Sequence, residues 1–298
     1  MKLAAIDIGS NAVRLLFIYV YNTKNGPKYV KDSMYRVPLR LGEEVFKKGK
    51  LSKKKIKDLV NTMIAFKKLM KVHQPVAYMA CATSAMREAK NAHEALAIVL
   101  EKSGINIDVI TGAEEAEMIF SNHVEQISLK PNQNYLYIDV GGGSTEIILM
   151  SKGEMIDKWS FNIGTLRIKH GGVSENDWQE LDEWLLNFKS SYKNIIAIGS
   201  GGNINNILKY FSVEKTPEVD ISVIRNAKSI LEKLTVEERI LQYNLKPDRA
   251  DVITYAAQIY LQVMDDLNIK KMIIPKVGLA DGMVHVMYEK IQKELLKP

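Results

Sequence analysis

Apolar positions open the chain as two extended runs around a tight turn. Leu3 to Ile8 is nearly continuous apolar, Gly9-Ser10-Asn11 is turn chemistry, and Val13 to Tyr21 is β-branched, aliphatic or aromatic. A second turn at Asn25-Gly26-Pro27 leads into a third extended stretch from Tyr29 to Leu39. Ile56, Leu59, Val60, Met63, Phe66, Leu69 and Met70 then recur at helical spacing and predict a helix over 52–72. Strands then alternate with helices: strand at 76–82, helix at 85–102, strand at 105–110, helix at 113–127. That order predicts α/β architecture, with parallel pairing downstream of an antiparallel hairpin.

The opening pattern returns 132 residues later. Residues 6–17 align without gaps on residues 138–149, each an apolar strand ending in Asp, a Gly-rich turn and a second apolar strand. A strand at 155–161, helices, a strand at 195–198 and the turn Gly199-Ser200-Gly201-Gly202 follow. Helical patterns at 222–245 and 248–267, a short strand at 271–275, a turn at 278–282 and a helix at 283–296 complete the chain. The duplicated hairpin predicts two related α/β domains with a boundary near residue 125: residues 1–125, and residues 126–282. The terminal helix, 283–298, is free to pack back on the first.

Length fits two domains, because 298 residues is about twice an ordinary domain of roughly 150. One cysteine, Cys81, excludes a disulfide framework or a Cys-cluster zinc site and fits a reducing, cytoplasmic compartment. The longest apolar run, Leu15 to Tyr21, is far short of the roughly 20 residues that cross a bilayer. Net charge is +6, but residues 24–71 hold 15 Lys or Arg against 4 Asp or Glu, leaving the rest of the chain acidic. That basic stretch is either a solvated helix face or a surface that steers a polyanion. No nucleic-acid-binding motif accompanies it, so neither DNA or RNA nor a membrane is expected as partner.

An Asp ending a strand before glycines is common turn chemistry. Two copies at equivalent positions, one running Asp139-Val140-Gly141-Gly142-Gly143-Ser144-Thr145-Glu146, point instead to phosphate. Glycines admit a ligand close to the backbone, and successive N–H groups form an anion nest. Neither copy is a Walker loop, since no Gly-Lys-Ser/Thr follows, nor a Rossmann fingerprint, since a strand comes next. Gly201-Gly202 before a helix suits an anion or merely a tight connection. Arg87 and Asn91 are spaced to share a helical face. Glu114, Glu115 and Glu117 open a helix, where acids complement the macrodipole without further role. Glu115 borders that helix's apolar face.

Together these motifs resemble the exopolyphosphatase and guanosine pentaphosphate phosphatase family of the actin-like superfamily. Asp7-Ile8-Gly9-Ser10-Asn11 is similar to its first phosphate motif and Asp139 to Glu146 to its second. Residues 82–92 are similar to its Arg- and Asn-bearing segment, and Gly112-Ala113-Glu114-Glu115-Ala116 to the segment supplying its catalytic glutamate. The resemblance implies two actin-like (ribonuclease H-like) domains with mixed sheets flanking a central cleft. It implies hydrolysis of terminal phosphate from polyphosphate or guanosine pentaphosphate. Glu115 is then the general base, with Glu114 as fallback, beside Arg87. Gly9, Ser10, Asn11, Asn91, Gly141, Gly142, Gly143, Ser144, Thr145, Gly201 and Gly202 bind phosphate. Asp139 holds Mg²⁺, assisted by Asp7 or Glu146, and the resemblance admits a homodimer. The chain lacks the extra helical domains of long members and has Ala280 where many relatives carry Arg. A polyphosphate-dependent phosphotransferase, a non-catalytic alarmone- or polyphosphate-binding regulator, and an actin-like filament protein are the alternatives. Testing ADP as acceptor, Mg²⁺-dependent phosphate release and nucleotide-dependent sedimentation discriminate them.

Overall fold

The structure, a computed structural model, describes residues 1–126, 130–213, 216–275 and 278–295, with the side chains of 121–126 outside the description. Two expected helix ends, at residues 127 and 296, lie outside the described residues. The chain forms two compact units, residues 1–123 with 279–298, and residues 124–278.

The first unit begins with β1 (Lys2–Ile8), β2 (Val13–Thr23), β3 (Gly26–Val37), α1 (Leu41–Lys48) and α2 (Lys53–His73). β4 (Ala77–Ala82), α3 (Ser84–Glu88), α4 (Ala92–Ser103), β5 (Asp108–Val109) and α5 (Gly112–Gln126) follow. Its sheet runs β3-β2-β1-β4-β5, antiparallel from β3 to β1 and parallel from β1 to β5. β1 is buried from Leu3 to Ile8, so it reads as an uninterrupted apolar run. Ala4, Ile6 and Ile8 share a core with Leu59, Met63 and Phe66 of α2.

The second unit holds β6 (Tyr135–Val140), β7 (Thr145–Ser151), β8 (Glu154–Phe161), α6 (Thr165–Lys169), α7 (Glu175–Lys189), β9 (Ile196–Ser200) and α8 (Gly202–Phe211). β10 (Glu218–Asp220), α9 (Ile221–Glu232), α10 (Val236–Tyr243), α11 (Pro247–Ala250), α12 (Ile253–Asp266) and β11 (Lys271–Ile273) complete it. Its sheet order is β10-β11-β9-β6-β7-β8. Stripped of the edge strand β10, this repeats the first sheet, with β6, β7, β8, β9 and β11 standing for β1 to β5. Even the irregularities repeat. The register shifts between Phe17 and Ile18 in one hairpin and between Leu149 and Met150 in the other, again 132 residues apart.

The last helix, α13 (Leu279–Leu295), belongs to the first unit and packs on β1, β2 and β4. Tyr288 donates to Asn22 Oδ1 at 2.6 Å, Lys31 pairs with Asp281 at 2.7 Å, and Tyr29 stacks on His285 at 3.7 Å. The helix starts at Leu279, so the expected turn at 278–282 is largely its first turn. Other expectations give way to tertiary contacts. The helix expected over 85–102 breaks at Ala89 (ψ 116°) into α3 and α4, because Lys90 N bonds Gly49 O and Asn91 bonds Leu51. The helix expected over 222–245 is interrupted where Thr235 and Glu238 form a capping box that restarts it as α10. The pattern over 248–267 likewise divides into α11 and α12, and α1 was not anticipated.

In the first unit α13 crosses α5 closely at Gly282, where a Cβ would stand 1.8 Å from the Met118 carbonyl oxygen of α5. Backbone cannot yield as a flexible side chain does, so Gly282→Ala must push α5 and α13 apart. We expect urea unfolding to show a loss of about 1–3 kcal/mol, the usual range for overpacking. An unchanged midpoint would contradict the crossing.

Candidate active site

The two hairpins share one backbone and differ in charge. In the first, Asp7 lies opposite Arg14, and Arg14 Nη1 donates to Asp7 Oδ2. In the second, Asp139 lies opposite Glu146, the residue equivalent to Arg14. Glu146 is 2% exposed and accepts a 2.8 Å bond from Ser160 Oγ. Like charges directly opposite in a sheet destabilise it. The second hairpin sets two acids opposite each other where the first sets an acid opposite a base.

Each turn is closed by the same bond, Gly9 N to Ala12 O at 3.1 Å and Gly141 N to Ser144 O at 2.9 Å. In the second unit the carbonyls of all three loop glycines are drawn to one segment. Gly141 O accepts from Thr165 N at 3.1 Å, Gly142 O from Leu166 N at 2.8 Å, and Gly143 O from Arg167 Nε at 2.9 Å. In a trans peptide the N–H points opposite to the C=O. The N–H groups of Gly142, Gly143 and Ser144 are thus turned away from residues 165–167, as three successive donors of an anion nest. Thr145 is a brace rather than a donor to this nest, since its hydroxyl bonds Ile163 O at 2.6 Å. Gly164 makes the arrangement possible: a Cβ there would lie 2.4 Å from Gly143 C and 2.6 Å from Gly142 C. The first unit repeats the principle with fewer bonds, as Ser10 O accepts from Gly42 N at 2.9 Å and Asn11 O from Arg40 N at 3.0 Å.

Ser10 and Asn11 are buried, and Ser10 Oγ accepts from Ala85 N at 3.2 Å, anchoring the loop to α3. α3 carries Arg87, whose Nη1 donates to Ile110 O at 3.0 Å and to Glu115 Oε2 at 3.1 Å. Glu115 is 8% exposed. Glu114 is engaged differently. Its Oε2 accepts from Thr111 N at 2.7 Å and Thr111 Oγ1 at 2.9 Å, while Glu114 N donates back to Thr111 Oγ1 at 3.2 Å. These bonds hold its carboxyl below the usual carboxylate range, led by the one from the Thr111 backbone. Glu114 caps α5, and Glu115 faces Arg87. Asn91 does not share a helix with Arg87, and both ends of its amide bond Leu51, N and O at 2.9 Å each. The structure thus gives Asn91 a bracing contact in place of the expected shared face.

The third glycine turn lies beside Asp139, whose Oδ1 is 3.3 Å from where a Cβ would stand at Gly201 (φ +112°). Tyr260 donates to Ser200 O beneath it. Burial, reinforced by the Asp139 charge, keeps the phenols of Tyr137 and Tyr260 neutral far above their ordinary value. Gly202 is covered by Arg249, whose Nη2 would be 2.5 Å from a Cβ there. Gly164, Arg167 and Arg249 escaped the sequence reading because none adjoins a motif. Gly164, preceding a short helix, offered the only signal. Among the described residues no three His, Cys, Asp or Glu side chains converge as a closed metal cage. Asp139 and Glu146 instead suit a hard cation that takes one or two carboxylates and completes its shell with phosphate and water. Asp7 has Arg14 as its partner instead.

Cys81 reports the acidity of the first unit's site. Burial first, then the charges of Asp108, Asp7, Glu114 and Glu115, push its thiol up to about 12. At pH 8 the native protein should resist iodoacetamide and react only after unfolding. Prompt alkylation of the folded chain would contradict this surround.

The sequence profile of the Ppx/GppA phosphatase family matches residues 30–291. Exopolyphosphatase 1 of Mycobacterium leprae is 23% identical over 95% of this chain and 88% of its own length. Exopolyphosphatase 2 of Mycobacterium tuberculosis is 30% identical over 56% of the chain and 53% of its own. The crystal structure of the Aquifex aeolicus Ppx/GppA family member superposes with a TM-score of 0.74 at 26% identity, covering 100% of this chain and 99% of that one. An exopolyphosphatase from Cytophaga hutchinsonii shares the fold with a TM-score of 0.82 at 21% identity, covering 97% and 98% of the two chains. A family match across residues 30–291 and the shared two-sheet fold place this chain in the Ppx/GppA phosphatase family.

Proposed function

We propose that the protein hydrolyses the terminal phosphoanhydride of inorganic polyphosphate or removes the 5′-phosphate of guanosine pentaphosphate. The observation that carries this reading is the glycine run Gly141–Gly143, whose three carbonyls are held by residues 165–167 and whose following N–H groups, on Gly142, Gly143 and Ser144, are thereby turned the other way. Such donors, fixed before substrate arrives, cost no reorganisation when negative charge develops. Exopolyphosphatases among the relatives support polyphosphate as the substrate class.

Roles divide between the units. In the second, the N–H groups of Gly142, Gly143 and Ser144, with the Ser144 hydroxyl, bind phosphate oxygens. Asp139 and Glu146 would hold a divalent cation, for which Mg²⁺ suits the hard oxygen donors. When bound it offsets charge on the transferring phosphate. In the first, the Ser10-Asn11 loop and the Arg87 guanidinium bind phosphate oxygens. Arg87 also orients Glu115 through Oε2, and Glu115 positions the attacking water and takes its proton. Glu114, whose carboxylate is engaged in capping bonds to Thr111, suits that role less well. A glutamate held to act as base favours hydrolysis over transfer to an acceptor such as ADP. A single buried thiol fits a cytoplasmic setting, and no described helix is long and apolar enough to cross a membrane.

Glu115→Gln should lower kcat for phosphate release by about 10²- to 10⁴-fold with KM little changed, the range for a positioned base. Glu114→Gln should keep wild-type turnover. Full activity in Glu115→Gln, or a collapse confined to Glu114→Gln, would sink the assignment. Gly164→Ala should cost about 100-fold in kcat/KM, because displacing the loop by an ångström misplaces its donors. Wild-type kinetics in that variant would show that the close approach at residue 164 does not shape the site.

A further inference from the structure

We propose that Lys47, Lys48, Lys50, Lys53, Lys54 and Lys90 form a track on the first unit that holds the distal part of a long inorganic polyphosphate chain. The inference rests on the phosphoanhydride reading and deepens it, selecting an extended polyanion over a compact nucleotide.

The first ground is placement. α1 starts against the Ser10-Asn11 loop, through Arg40 N to Asn11 O and Gly42 N to Ser10 O. At 1.5 Å per residue its eight residues carry the chain about 12 Å to Lys47 and Lys48. Gly49, at φ +68°, then turns the chain towards Lys50 and the start of α2. Lys90 is laid over this turn, its Cε 3.5 Å and Nζ 3.9 Å from where a Cβ would stand at Gly49, and its N–H bonds Gly49 O. Asn91 clamps both polar groups of Leu51 from the other side. Arg87 is three residues before Lys90, within about 11 Å of chain. One braced turn therefore gathers the lysines beside the segment that carries Arg87 to Glu115.

The second ground is charge left unneutralised. All six lysines are exposed, and among the described residues none has a carboxylate partner within 4 Å. Elsewhere on the surface, Lys102, Lys228 and Lys271 pair with Glu101, Glu232 and Glu218, each at 2.7 Å. The nearby acids are spent: Glu43 on Arg40 at 2.8 Å, and Glu44 on Ser52 N and Oγ at 2.7 and 3.0 Å. The first turn of α2 holds Lys53, Lys54 and Lys55 and no acid. Cations there oppose the positive end of the helix dipole. A solvated face that only kept the protein soluble would not concentrate like charge at the one helix end that disfavours it. Phosphates laid along the turn relieve both the dipole and the mutual repulsion, and the unscreened field draws a polyanion in.

The test compares wild type with a variant carrying Lys47→Gln, Lys48→Gln, Lys50→Gln and Lys90→Gln. Phosphate release is measured with long-chain polyphosphate and with tripolyphosphate at several salt concentrations, alongside anisotropy of an end-labelled long chain. We expect KM and Kd for the long chain to rise about tenfold or more, with a flatter salt dependence, as removal of phosphate contacts requires. kcat and the tripolyphosphate KM should stay at wild-type values. Equal changes on both substrates, or none, would overturn the track. Displacement of the labelled chain from wild type by RNA at equal phosphate concentration would also overturn it, assigning the lysines to nucleic acid. If wild type releases phosphate from neither substrate, the hydrolytic reading fails separately. Anisotropy then decides the track alone, with weaker binding by the variant supporting it and unchanged binding overturning it.

Discussion

Asp139 and Glu146 face each other across β6 and β7 in a register that brings two carboxylates together beside a loop of outward-turned N–H groups. Left alone, that pairing costs stability, and the first unit shows how the same backbone avoids the cost. There the position equivalent to Glu146 is Arg14, which neutralises Asp7. The second hairpin sets two acids opposite each other instead, and its surroundings hold them in place. Ser160 supports Glu146, Tyr260 supports the Ser200 carbonyl, and residues 164–167 hold the glycine loop by its carbonyls. On the proposed reading a hard cation with phosphate would resolve that repulsion, so that ligand and fold would stabilise each other.

The division of labour follows from one duplication that diverged. On the proposed reading the second copy, with Glu146 and three consecutive glycines, is the cradle for cation and phosphate. The first, neutral at Asp7, is joined through Ser10 to α3 and so to the Arg87–Glu115 pair. Two adjacent glutamates illustrate how finely this is set. Glu114 turns back to cap α5, while its neighbour is buried against an arginine.

Much of this was legible in the chain because it is local. The 132-residue offset foretold equivalent hairpins, and the structure repeats their register, closing bond and bulge. Both phosphate-type loops and the parallel strands beyond the hairpins were visible in the alternation of apolar runs and turn residues. What the sequence hid was set by distant contacts. Asn91 has helical spacing from Arg87, yet Leu51, forty residues away, takes both ends of its amide and ends the helix. Gly164 is an unremarkable glycine until Gly143 is found against it. The basic stretch of residues 24–71 left a solvated face and a polyanion-steering surface both open, because nothing local shows that Glu43 and Glu44 are already bound.

The most direct test of the acid-pair account is Mn²⁺ binding, followed by electron paramagnetic resonance, in wild type and Glu146→Arg. The substitution copies the first hairpin's Asp–Arg pairing into the same register, so the variant should stay folded by circular dichroism. The account predicts that it loses Mn²⁺ affinity at least about tenfold, because one of two carboxylates is gone and a cation replaces it. Undiminished Mn²⁺ binding by a folded Glu146→Arg protein would contradict it.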